Sequence, residues 1–71
     1  MKHVLVFKTN LSLAEHIDEI THPLNALQFV TKWNVDMDDC DKVLRIESEK
    51  NNPQEIIQLI KQTGFHCEEL V

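Results

Sequence analysis

Side chains that commonly bind metals or act as nucleophiles are few in this chain. Its two cysteines, Cys40 and Cys67, are too far apart in sequence to form a C-x-x-C pair. Their spacing fits neither a zinc site nor a disulfide framework. The four histidines are His3, His16, His22 and His66. No two histidines stand at a spacing that would bring two ligands together, so only His16 is kept as a weak candidate for binding metal.

Motifs that carry enzymatic chemistry are not found in the sequence. Gly64 is the only glycine, so the chain has no glycine-rich loop that could hold a phosphate group. It also has no serine elbow and no paired metal-binding motif. We therefore predict that the protein is not an enzyme.

Charge and hydropathy argue against two further classes of protein. The formal net charge is −5 at pH 7, and an acidic chain repels phosphate backbones, so we expect no binding to nucleic acid. No apolar run reaches the roughly 18 residues of a transmembrane helix, so we expect no membrane insertion. The first residues become polar too quickly for a signal peptide, which predicts a cytoplasmic protein. The 71 residues leave room for one domain, residues 1–71.

In the first half of the chain, the spacing of apolar residues is first that of a strand and then that of a helix. Residues 2–8 are apolar on both faces for most of their length, with Val4 and Val6 opposite Leu5 and Phe7, which is typical of a central strand. Apolar residues then recur at steps of three and four as far as residue 27, which predicts a helix. We expect Ser12 and Glu15 to form a capping box at its start. We expect Pro23 to kink this helix or to begin a separate last turn.

The second half predicts a hairpin, a second helix and a last strand. Residues 29–36 and 42–47 read as strands on either side of an acidic turn, so they should pair antiparallel. Asn52 and Pro53 predict the start of a helix. We expect Gly64 to end this helix in a left-handed backbone conformation. Residues 65–71 form the last strand, with Phe65 and Cys67 facing inward. This order predicts an α+β fold, a ferredoxin-like βαββαβ sandwich whose four-stranded antiparallel sheet carries two helices on one face.

Several short segments narrow the choice of family. They are Phe7-Lys8-Thr9-Asn10, Pro23, Trp33-Asn34-Val35-Asp36, Asp41-Lys42-Val43-Leu44, Glu55-Ile56-Ile57 and Gly64-Phe65. In this order and spacing they resemble the small bacterial heavy-metal-associated (HMA) domains, relatives of copper chaperones, over nearly the whole chain. The resemblance implies a fold that binds Cu(I) or another soft metal ion through two cysteines spaced C-x-x-C at the start of the first helix.

The positions that match those two cysteines are Leu13 and His16, and neither is a thiol. Leucine cannot coordinate a metal, and one imidazole does not make a site. The resemblance also places Phe65 beside the former metal loop. We expect Leu13 to be buried against Phe65, with an exposed Leu13 as the alternative. We therefore predict no cofactor and a degenerate domain that no longer binds metal through C-x-x-C.

Three functions stay open at this point. The first is a docking module for a protein partner, with Leu11, Leu13, His16 and Phe65 as its candidate surface. The second is non-standard metal binding or transport, in which His16 shares an ion with ligands from a second chain. The third is a regulatory domain that binds a small ligand. Separately, Val4, Val6 and Val43 on the outer sheet face either mediate a homodimer or reflect strand propensity alone.

Overall fold

The computed structural model describes residues 2–70 and contains the six elements in the predicted order. Four strands and two helices make up this part of the chain, and they form one sheet with both helices packed on the same face. The fold is therefore the predicted ferredoxin-like βαββαβ sandwich. The elements are β1 (His3–Thr9), α1 (Ala14–Asn25), β2 (Val30–Asp36), β3 (Val43–Ser48), α2 (Pro53–Gln62) and β4 (Cys67–Glu69).

The sheet has the strand order β2-β3-β1-β4, and every neighbouring pair is antiparallel. The first strand lies in the interior of the sheet, as its two apolar faces predicted. Leu5 is paired with Ile46 and Phe7 with Leu44 across the β1–β3 ladder. These four side chains point toward the helices and are buried, so the alternation of period two places them in the core.

The helices cover this apolar sheet face with residues spaced one turn apart. Ile20 and Leu24 of α1, and Ile56 and Ile60 of α2, have no exposed surface. Cys67 of β4 is also buried among them, as a small hydrophobic side chain. Burial of each such aliphatic side chain contributes about 1.5–3 kcal/mol, so this small cluster supplies much of the stability of the fold.

The first helix differs from its prediction at both ends. It begins at Ala14 with Leu13 as the N-cap, and the expected capping box between Ser12 and Glu15 is not formed. The helix includes Pro23 and ends two residues later, at Asn25. Pro23, which has no N–H to donate, therefore lies in the last turn of the helix.

Residues with a positive φ angle lie next to two other elements, before β3 and after α2. Lys42 has φ 46° and lies in the β2–β3 turn rather than in β3, where the sequence placed it. Gly64 has φ 100° and ends α2 as predicted, because only glycine adopts this angle without strain. The last strand covers three residues and begins at Cys67, so Phe65 and His66 lie in the preceding loop. The end of the predicted strand, residue 71, lies outside the described residues.

The outer sheet face carries a short apolar strip. Val4 is 59% exposed, and Val6 and Val43 are partly exposed. Leu70 extends the strip, because its N–H donates to the Val6 carbonyl at 2.9 Å and its side chain is exposed. Charged side chains of β1 and β3 surround these residues, and homodimerisation through the strip stays a prediction.

Candidate functional site

Three connections meet at one end of the sandwich, and hydrogen bonds join them. They are loop 1 (residues 10–13), the β2–β3 turn (residues 37–42) and the α2–β4 loop (residues 63–66). The buried Thr9 hydroxyl donates to the Lys42 carbonyl and accepts the Leu11 N–H at 3.2 Å. The Asn10 side-chain oxygen accepts the His66 N–H at 2.8 Å. Loop 1 is therefore held from both sides by its neighbours.

His16 supplies the capping side chain at the N-terminus of α1, a role that the sequence assigned to Ser12 and Glu15. Its Nδ1 accepts the backbone N–H of Ser12 at 3.1 Å and that of Leu13 at 3.2 Å. The Leu13 carbonyl in turn accepts the His16 N–H at 2.9 Å, which begins the helix. His16 thus takes the part that Glu or Gln plays in a capping box, three residues after the N-cap. An N–H cannot donate to a protonated nitrogen, so the neutral ring carries its proton on Nε2.

The same imidazole packs against Phe65. The two ring centroids are 4.9 Å apart and the ring planes are tilted by 52°. His16 is consequently half-buried rather than directed into solvent. The predicted burial of Leu13 against Phe65 is wrong and the alternative holds, because Leu13 is 54% exposed. As the N-cap residue it has extended backbone angles, φ −127° and ψ 154°, and its side chain projects from the tip of loop 1.

Leu11 does not belong to this surface. Its side chain has no exposed area and lies in the hydrophobic core. Including Leu11 among the docking residues was therefore wrong, since a fully buried side chain cannot contact a partner. The surface site consists of the exposed Leu13 and the partly buried His16 and Phe65, which we call the tip cluster.

The residues of the tip cluster do not suit a soft metal ion. Leu13 has no lone pair to donate, and His16 already uses the lone pair of Nδ1 to accept two backbone N–H groups. Coordination through Nε2 would require the proton to move to Nδ1 and would break both hydrogen bonds. Elsewhere, His66 Nε2 lies 3.9 Å from a Glu68 carboxylate oxygen, and both side chains are exposed.

A group of three potential ligands occurs in the β2–β3 turn, which the sequence predicted only as an acidic turn. The ligand atoms of Asp39, Cys40 and Asp41 lie within 4.8 Å of one another. The Asp39 side chain is part of the turn's own structure, because one of its carboxylate oxygens accepts the Asp41 N–H at 2.8 Å. Lys8 Nζ lies 3.8 Å from the Asp41 carboxylate. The sequence signal for this group was the run Asp39-Cys40-Asp41, but aspartates in such a run indicate a turn equally well.

Cys67 is protected from chemistry by its burial. Desolvation raises the pKa of its thiol from 9.0 to about 11, partly offset by Lys61 and reinforced by Glu68. Because the folded state holds the neutral thiol, stability should fall as the pH rises above 9.0 toward 11.

We expect a thiol reagent at neutral pH to modify the exposed Cys40 quickly and Cys67 only after unfolding. Mass spectrometry of the native and the denatured protein would count the labels. The control is Cys40→Ser, in which Cys67 is the only remaining cysteine. Labelling of native Cys40→Ser at the rate of the denatured protein would contradict the burial of Cys67.

The sandwich described above is the fold of HMA domains of copper chaperones and copper transporters. The chain is similar to the HMA domain of the copper chaperone for superoxide dismutase, with a TM-score of 0.82, 17% identity, and coverage of 100% of this chain and 69% of the other. It is also similar to the yeast copper transporter domain Ccc2a, solved in apo and Cu(I)-loaded states, with a TM-score of 0.82, 20% identity and coverage of 96% and 94%.

A third similar structure is the Atx1–Cu(I)–Ccc2a complex, with a TM-score of 0.81, 20% identity and coverage of 96% of this chain and 94% of the other. At these identities the comparisons establish the fold alone. The sequence itself matches no family model and none of the curated proteins searched. Within residues 2–70, neither helix is long and apolar enough to cross a membrane.

Proposed function

We propose that this chain is a docking module with the fold of a metal chaperone and without the metal-carrying thiols. The observation that carries the proposal is the tip cluster: His16 is engaged in capping α1 and packs on Phe65, while Leu13 projects into solvent. The end of the fold that would carry two cysteines therefore presents an apolar contact instead.

The charges around the tip cluster favour a partner with a basic surface. Glu15, Asp18 and Glu19 are exposed on α1, in the turns that follow Leu13. Complementary charge mainly increases the rate of encounter and orients the partner, whereas an apolar side chain in a pocket holds the complex together. One protruding leucine with an acidic flank fits a weak, transient contact.

The similarity to the Atx1–Cu(I)–Ccc2a complex supports a protein partner, because in that structure a domain of this fold is part of a complex with a second protein. The donor atoms at the tip argue against carriage of Cu(I) in the manner of a C-x-x-C site. We therefore propose that binding to a partner, without transfer of metal, is the activity of this chain.

Substitution of Leu13 by aspartate tests the docking surface. Leu13→Asp removes the exposed apolar side chain, and aspartate is a good N-cap residue, so the fold should be retained. We expect cross-linking and pull-down experiments to lose the partner that the wild type captures. Circular dichroism would confirm that the variant is folded.

Val4→Asp is the matched control, because Val4 is similarly exposed, at 59% against 54%, and lies on the outer sheet face. It should keep the partner. The proposal fails if Leu13→Asp retains every partner that the wild type binds, or if only Val4→Asp loses one.

A further inference from the structure

Among residues 2–70, His16 is the one ionisable side chain that hydrogen-bonds to the backbone at the tip of loop 1. Its Nδ1 accepts two backbone N–H groups, from Ser12 and Leu13, at 3.1 and 3.2 Å. Both bonds need an unprotonated Nδ1, whereas an imidazolium carries a proton on each nitrogen and accepts none. Imidazole is also the side chain that ordinarily changes charge between about pH 8 and pH 5.

We propose that His16 is a pH-sensitive latch: its neutral ring fastens loop 1 to α1, and protonation in mild acid releases the loop. The proposal acts on the tip cluster of the proposed function, because release of loop 1 would change how Leu13 is presented. It rests on the capping geometry alone, and its test needs no partner.

The charges around the ring decide how costly protonation is. On α1, Glu15 precedes His16 and Glu19 follows it by one turn, and the α2–β4 loop contributes His66 next to Phe65. Within residues 2–70, no carboxylate oxygen lies within 4.0 Å of the His16 ring nitrogens. The imidazolium therefore gains no ion pair there to replace the two lost hydrogen bonds.

Two further effects change the cost of protonating His16, and they act in opposite directions. The N-terminal end of a helix carries a partial positive charge, so a cation at this position is unfavourable. Attraction between the imidazolium and the Phe65 ring opposes this, and at an exposed site it changes an equilibrium by roughly two- to fivefold. Loss of an N-terminal cap alone typically changes the unfolding equilibrium by about fivefold. The lost cap and the helix charge together outweigh the ring contact, so protonation should loosen the loop.

The experiment compares the wild type with His16→Gln as the pH is lowered from about 8 to about 5. Glutamine at this position keeps a capping acceptor that does not titrate. We expect the unfolding equilibrium constant of the wild type to rise about two- to fivefold more than that of His16→Gln. His22→Gln is the control, since His22 is exposed near the other end of α1, where a positive charge is favourable.

NMR of the wild type gives a second measurement that depends on no variant. The backbone amide signals of Ser12 and Leu13 should shift in the same titration step as the ring signals of His16. The latch is refuted if these amide signals stay in place while the ring titrates, or if His16→Gln shows the pH dependence of the wild type. Failure of the docking test would leave both measurements unaffected, so the two proposals can fail separately.

Discussion

Replacement of Leu11 by alanine should be among the most destabilising substitutions in loop 1. The side chain has no exposed area and packs in the core, although it lies in a connection rather than in a helix or strand. Truncation of a buried leucine leaves a cavity and costs about 2–5 kcal/mol. In a domain of this size such a loss lowers Tm by at least about 8 °C. Thermal and urea unfolding of the purified protein would measure the loss.

Leu13→Ala is the matched control, because it removes the same atoms two residues further along the chain. Leu13 is more than half exposed, so we expect a change in the free energy of unfolding within about 0.5 kcal/mol. Equal effects of the two substitutions would contradict the division of loop 1 into a buried anchor and an exposed tip. The same pair also separates stability from docking, since only Leu13 should affect the binding of a partner.

Two cysteines in place of Leu13 and His16 should confer Cu(I) binding that, under the proposed function, the wild type does not have. The double variant Leu13→Cys, His16→Cys restores the C-x-x-C spacing at the start of α1, in a fold similar to that of Cu(I)-loaded domains. A helix N-terminus favours thiolates, which are soft ligands for Cu(I). Competition with a coloured Cu(I) chelator would show the variant removing the ion from the chelator under conditions in which the wild type does not.

The single variants Leu13→Cys and His16→Cys are the controls for this experiment. Each supplies one thiol at the tip, so neither should compete with the chelator as the double variant does. If the wild type removed Cu(I) from the chelator as effectively as the double variant, the proposal that this chain carries no Cu(I) would be wrong. Circular dichroism must show that the double variant remains folded, because it also loses the cap provided by His16.

The fold could be predicted from the sequence because local signals and hydrophobic periodicity agree. The alternation around Leu5 and Phe7 predicted a central strand, and Gly64 marked the end of α2. Strand ends were less predictable, since they depend on pairing with a neighbouring strand. Lys42 continues an apparent strand in sequence but has a left-handed backbone angle in the turn. Phe65 looks like a strand residue, yet pairing of β4 with β1 begins only at Cys67.

The candidate site was predicted in its position and not in its contacts. The resemblance to HMA domains placed Leu13, His16 and Phe65 at one end of the fold, and from it we expected the leucine to be buried against the phenylalanine. Ser12 and Glu15 matched the usual capping pattern. Nothing in the neighbouring sequence indicates that the His16 ring accepts the N–H groups of Ser12 and Leu13 instead. The burial of Leu11 was also hidden, because a loop residue has no periodicity that reveals which way its side chain points.

The hydrogen bonds of Thr9 and Asn10 affect how any partner would bind at this end of the molecule. Thr9, the last residue of β1, links the Leu11 N–H of loop 1 to the β2–β3 turn, and Asn10 links loop 1 to the α2–β4 loop. Fixing one flexible residue costs about 1–2 kcal/mol in conformational entropy, and here that ordering has already taken place during folding. A preorganised surface keeps more of its contact energy as affinity. A footprint of only a few side chains can then sustain a short-lived complex.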